Sequence, residues 1–144
     1  MLGSDSLKLT YDAREGRISN EGAQRCEALL VEWMEALNRH DAFGMDAVMR
    51  FPHVRAAANE LFVYEAPGNN PMDLFTKLGE QQGWHHSAWT EIKLLQSSPI
   101  KAHYAVQYTR YREDGSVIGV YDSLYVFTED DGDWKLQLRS SFGP

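Results

Sequence analysis

Apolar and polar positions change rhythm along this chain. Ala23, Cys26, Leu29, Leu30, Trp33, Met34 and Leu37 recur at helical spacing, with Glu21, Arg25, Glu32, Glu35 and Arg39 on the other side. That stripe predicts an amphipathic helix from Ser19 or Asn20, either of which is a good N-cap, to about His40. Asp41 then caps a short second helix, Ala42 to Arg50, whose expected buried side is Phe43, Ala47, Val48 and Met49. Pro52 stops it. Two short strands, His53–Ala57 and Leu61–Glu65, are expected around an Asn59-Glu60 turn. A third helix follows, capped by Asn70 with Pro71 at its first position, facing Leu74, Phe75 and Leu78 inward and ending at Gly83. From there the period is two, which predicts four long antiparallel strands: 85–96, 100–112, 117–127 and 134–142. Helices first and a meander last predict an α+β domain, with a curved antiparallel sheet wrapped around three N-terminal helices. Residues 1–19 read as a loosely docked arm, in which Leu7, Leu9 and Tyr11 alternate briefly, and 20–144 as one domain.

The turns set an expected register. Asp114-Gly115 and Asp131-Gly132 are flanked by alternating apolar residues, a strong signal for two-residue hairpins. Such turns would place Tyr104 opposite Tyr125, Val106 opposite Ser123 and Tyr108 opposite Tyr121. The second would set Tyr125 opposite Leu138, Ser123 opposite Ser140 and Tyr121 opposite Phe142. Paired residues share a face, so one face would carry these tyrosines with Phe127, Leu136, Leu138, Ser123 and Ser140. A three-residue turn at Ser97-Ser98-Pro99 would add His86, Ala88 and Thr90 to it. Trp89, Asp122 and Arg139 would point the other way. A slip of one residue exchanges the two sets. The opposite face is mixed rather than cleanly polar, which suggests a partner surface and a homodimer through the outer face of the sheet.

Composition narrows the partners. The 144 residues carry a formal charge of −7 with no cluster of Lys or Arg, which argues against nucleic acid. No apolar run nears the roughly 20 residues that span a bilayer, so no membrane partner is expected. The N-terminus lacks a basic start followed by an apolar run, and the single Cys26 has no internal partner; both suit a cytoplasmic protein. There is no Gly-rich phosphate loop and no nucleophile elbow. His85 and His86 are adjacent on a strand and point to opposite faces, so neither a metal nor another cofactor is expected.

Two segments resemble a known family. Trp33-Met34-Glu35-Ala36-Leu37-Asn38-Arg39-His40-Asp41 is similar to the aromatic-x-x-Ala-Leu-Asn-x-x-Asp stretch that opens many members of the nuclear transport factor two-like superfamily. Trp134 to Gly143 resembles that family's last strand, and the element order matches over residues 20–143. The family includes ketosteroid isomerase, scytalone dehydratase and polyketide cyclases, and the chain looks most like its small uncharacterised bacterial members. The resemblance implies a cone-shaped fold. For ketosteroid isomerase it aligns the helix-one tyrosine with Trp33, the carboxylate base with Glu65 and the late-strand acid with Ser123, beside Asp122. For the dehydratase and cyclases it points to histidines, here His53 and His86.

The expected function is therefore binding of a small apolar, partly oxygenated molecule in a cone cavity. The reading extends to a cofactor-independent lyase or isomerase with His86, Glu65 and Asp122 as acid/base groups. Trp33, His53, Arg55, Tyr104, Tyr108, Ser123, Tyr125 and Ser140 are the expected ligand contacts. The alternative is a non-catalytic ligand-binding or dimeric accessory module.

Overall fold

The computed structural model describes residues 16–69 and 74–143. The Leu7–Tyr11 alternation and the Asn70-Pro71 cap lie outside them. Helix α1 (Asn20–Asn38) starts where the N-cap signal placed it: the Ser19 hydroxyl accepts from the Gly22 N–H at 3.0 Å. Its stripe buries Cys26, Leu29 and Leu30 completely, each 0% exposed. Helix α2 (Ala42–Val48) is capped by Asp41, which accepts from the Gly44 N–H at 2.9 Å. Its buried side differs from the expected one: Ala42, Met45, Asp46 and Val48 face in, while Phe43 is 74% exposed. The chain becomes extended at Met49, so the apolar run Val48-Met49 spans two elements rather than one helix face.

The remaining elements are β1 (Met49–Ala57), β2 (Glu60–Tyr64), α3 (Leu74–Gln82), β3 (His86–Ser98), β4 (Lys101–Tyr111), β5 (Val117–Asp130) and β6 (Asp133–Ser141). The six strands form one sheet in the order β2-β1-β6-β5-β4-β3. Neighbours are antiparallel except β1 and β6, which run parallel. The four long strands are antiparallel as expected, and the parallel β1–β6 pairing adds to that sheet. It joins strands 83 residues apart, as between His53 and Leu136, and local turn signals carry no information about it.

Bulges decide which side chains face inward. At the last hairpin Asp131 (φ 53°) and Gly132 (φ 81°) both take positive φ, the geometry of a two-residue type I′ turn, and Phe127 meets Leu136 as expected. Gln137 is then an extra residue on β6, so Val126 pairs with Leu138 and Tyr125 with Arg139. The parity of everything beyond Gln137 is reversed. Arg139 and Ser141 turn inward; Leu138 and Ser140 do not. At the first hairpin two departures cancel. The turn closes over three residues, with the Arg112 N–H on Ser116, and a shift between Arg110 and Tyr111 restores the expected pairs Tyr108–Tyr121 and Val106–Ser123. Between β3 and β4 the turn is two residues, Ser98 against Lys101, followed by bulges at Leu95 and Thr90. The Thr90 bulge sends Trp89 inward beside Tyr108 and His86 outward beside Tyr111.

The core lies between α1 and the concave face of the sheet, around Leu29, Tyr104, Phe127 and Leu136. Ile18 packs against it, and its N–H donates to the Ser97 hydroxyl at 3.1 Å, which docks the segment just before α1 on β3. Asn38 ties the helix to β3: its amide donates to the Ser87 carbonyl at 2.8 Å and accepts from the Ser87 N–H at 2.9 Å. Burial pushes the Cys26 thiol up to about 12. The native protein is accordingly expected to leave a disulfide reagent unreacted at pH 8, and to release one thiol only when unfolded in denaturant. Rapid labelling of the native state would mean that α1 opens locally.

Candidate functional site

A cavity of about 120 Å³ opens between α1, α3 and the concave face of the sheet. Its walls are mostly apolar: Trp33, Met34 and Leu37 from α1, Leu74 and Leu78 from α3, and Trp89 from β3. Trp89 is fixed because its indole N–H donates to the Leu30 carbonyl at 2.8 Å and its ring meets Tyr125 edge-on at 5.4 Å. The polar groups come from the sheet: Arg55, Ser87, Tyr108, Arg110, Tyr125, Arg139 and Ser141. Three of the lining residues are arginines and, among the described residues, none is a carboxylate. In a chain of net charge −7, that concentration of one sign is a local feature of the site.

Arg139 is the centre of it. The Gln137 bulge aims it inward, and its Nε–H donates to His53 Nε2 at 2.9 Å. The guanidinium lies 4.6 Å above the Trp33 ring and 5.9 Å from the Tyr64 ring. Those π faces offset part of the cost of burying the cation. Burial lowers its pKa, as does neighbouring Arg55, but a guanidinium stays charged in water or protein. The Tyr125 hydroxyl is pushed up to about 12, chiefly by burial, with Arg139 opposing. It therefore stays protonated at physiological pH and in hydrogen-bonding reach of the cation.

His53 sets this geometry. It is 0% exposed, and its Nδ1 lies 3.0 Å from the Leu136 carbonyl. A carbonyl only accepts, so Nδ1 carries the proton and Nε2 is left as acceptor for Arg139. Burial, then the charge of Arg139, lowers its pKa to about 3. The ring is neutral and both nitrogens are occupied, so His53 holds the cation rather than shuttling protons. It stacks on Tyr64 at 5.8 Å.

At another side of the cavity Ser141 gathers three contacts. Its hydroxyl accepts from Ser123 at 2.7 Å and from the Gly143 N–H at 3.1 Å, and meets the Tyr108 hydroxyl at 3.0 Å. With two donors already on it, Ser141 gives its own proton to Tyr108. That leaves the Tyr108 O–H for the cavity. Arg110 sits over Tyr121 at 4.9 Å and donates to the Gln82 side chain at 3.1 Å.

Of the residues expected from sequence, Trp33, Arg55, Tyr108 and Tyr125 line the cavity, and His53 stands directly behind Arg139. Ser123 faces inward but reaches the cavity only through Ser141. Tyr104 is core, with its hydroxyl 3.4 Å from the Ala23 carbonyl. Ser140 is turned off the inner face by the Gln137 bulge. His86 is on the outer side, 3.0 Å from His85 and stacked on Tyr111 at 5.0 Å. Asp122 is exposed and takes a 3.3 Å bond from Gln107; Glu65 is exposed beyond the end of β2. The sequence reading missed Arg139, Ser141 and Trp89, all three through bulges. Among the described residues no group of three or more His, Cys, Asp or Glu is placed to hold a metal ion, and no helix is long and apolar enough to cross a membrane.

No family model matches the chain, and no curated protein does. Solved structures do. A protein of unknown function with a cystatin-like fold from Nostoc punctiforme superposes with a TM-score of 0.72 at 14% identity, covering 88% of this chain and 93% of that one. A nuclear transport factor two-like protein with a cystatin-like fold from Novosphingobium aromaticivorans gives 0.69 at 11%, covering 96% and 86%. A ketosteroid isomerase-like protein from Erwinia carotovora atroseptica gives 0.63 at 20%, covering 86% and 97%.

Proposed function

Since the chain has the nuclear transport factor two-like, cystatin-like fold, we propose that it binds a small, largely apolar molecule in the cavity between α1, α3 and the sheet. The supporting observation is the cavity itself: two tryptophans and aliphatic side chains form its walls, and a few fixed polar groups from the sheet line it. That combination is how ligand sites divide the work, apolar area for affinity and a few polar groups for orientation. The lyase or isomerase form of the reading needs a proton carrier in the cavity. His86, Glu65 and Asp122 stand outside its lining, and His53 is locked neutral, so binding is the form with support. Self-association belongs to the same reading: Val120, half exposed on the outer face of the sheet, would be covered in a dimer, and light scattering of the purified protein would give its mass.

The indole N–H signals offer a direct test. Trp33 and Trp89 line the cavity; Trp84 and Trp134 are buried elsewhere. A panel of one- and two-ring compounds, neutral and charged, titrated into the full chain should shift the Trp33 and Trp89 signals selectively. No response to any compound, or equal shifts at all four indoles, would contradict a cavity ligand.

A further inference from the structure

Resting on the reading of the cavity as a ligand site, we propose that its ligand is an organic carboxylate, seated by its anionic head on the Arg139 guanidinium with its apolar body between Trp33 and Trp89. Three independent features converge on that chemistry. The first is an uncompensated cation. Arg139 has no carboxylate partner among the described residues; its contacts are His53, Tyr125 and the faces of two aromatic rings. Aromatic faces stabilise a desolvated cation only in part, so a buried site of this kind is completed by an anion.

The second feature is direction. A guanidinium can meet a carboxylate side-on, through Nε and one terminal nitrogen, or end-on, through both terminal nitrogens. His53 takes the Nε–H at 2.9 Å and so closes the side-on approach. What remains is the end-on fork, lying across Trp33 on a cavity wall. His53 is itself fixed by the Leu136 carbonyl and by stacking on Tyr64, so the fork is held in place before any ligand arrives. It acts through Arg139 and is a positioning residue.

The third is the surrounding charge. Arg55 pairs with Arg139 in the β1–β6 register and also lines the cavity, so two like charges repel across it. A bound anion relieves that repulsion, whereas a cationic ligand would add to it, and a neutral one would leave it unchanged. The Tyr108 O–H, freed by Ser141, supplies a neutral donor on another side of the cavity for a hydroxyl or carbonyl on the ligand body.

The test compares isosteres on the intact chain. Benzoate and 2-naphthoate are titrated calorimetrically beside benzamide and 2-naphthamide, which match them in shape and lack the charge. The carboxylates should bind about 10- to 100-fold more tightly than their amides, the usual worth of hydrogen bonds to a charged partner. Arg139→Gln should remove most of that difference while leaving amide binding nearly unchanged, and Arg139→Lys should keep part of it. In His53→Leu, which frees the Nε–H, the carboxylate preference should fall while the indole shifts with the amides persist. Amides that bind the wild-type protein as tightly as carboxylates would overturn the oxyanion seat while leaving the cavity reading standing. Failure of all four compounds to bind would overturn both. The wild-type comparison needs no variant, so it decides the matter even if Arg139→Gln folds poorly.

Discussion

Acidified from pH 7 to pH 4, the protein is expected to lose roughly 3 kcal/mol of folding stability through one side chain, His53. The imidazole is buried neutral, with its pKa lowered from 6.5 to about 3 by burial and by Arg139. In the unfolded chain it takes up a proton near its ordinary value. Between the two values the unfolded state therefore binds more protons than the folded one, and stability falls as pH falls. The contribution is fully present above about pH 6.5 and is lost progressively toward the folded pKa of about 3. Carboxylates titrate in the same range, so the control matters. His53→Gln keeps an oxygen acceptor for Arg139 and an amide donor for Leu136 without the titration. Urea unfolding at pH 7 and pH 4 should show a pH dependence flatter by about 3 kcal/mol in the variant. Equal slopes would mean that His53 is not held neutral inside.

The second large effect is at Phe127, where Phe127→Ala should cost about 4 kcal/mol in urea unfolding. Its ring is 0% exposed, packs edge-on against Tyr104 at 5.6 Å, and lies between Ala102 and Leu136, both also fully buried. Truncation leaves a cavity bounded by three strands that cannot all close in. Phe127 is also the last regular pair before the Gln137 bulge, so its packing helps hold the register that turns Arg139 inward. Phe142→Ala and Phe43→Ala, at residues 85% and 74% exposed, should change stability by less than about 0.5 kcal/mol. A loss at Phe127 no larger than at these two would contradict the placement of the core.

Periodicity and turn chemistry made most of the fold legible. The α1 stripe, the Ser19 and Asp41 caps and the type I′ turn at Asp131-Gly132 are local signals, each tied to a backbone requirement that few residues meet. The β1–β6 pairing was not legible, because its two strands are far apart in the chain, 83 residues between His53 and Leu136, and no turn joins them. The candidate site was half legible for a sharper reason. Hairpin registers were extended outward from turns, and each bulge reverses inside and outside beyond it. Ser123 and Asp122 lie on β5 opposite β4, past the two departures at the first hairpin that cancel, and Ser123 faces inward as the register required. Arg139 lies beyond the single Gln137 bulge, and His86 beyond a turn one residue shorter than expected and the Leu95 and Thr90 bulges, an odd number of departures in each case, so both exchanged faces. No local signal marked the Gln137 bulge: regular pairing sets Ser123 against Ser140, and the bulged register sets its hydroxyl on Ser141, a serine in either case.

The inward cation and its neutral support can be measured together in the imidazole signals of His53. A long-range nitrogen–proton spectrum at pH 7 should show Nδ1 protonated and Nε2 bare, unchanged on acidification to about pH 4, with the Arg139 Nε–H resolved and protected from exchange. A His53 protonated at Nε2, or one that titrates near its ordinary 6.5, would take Arg139 off the ring and leave the cavity without its anion seat.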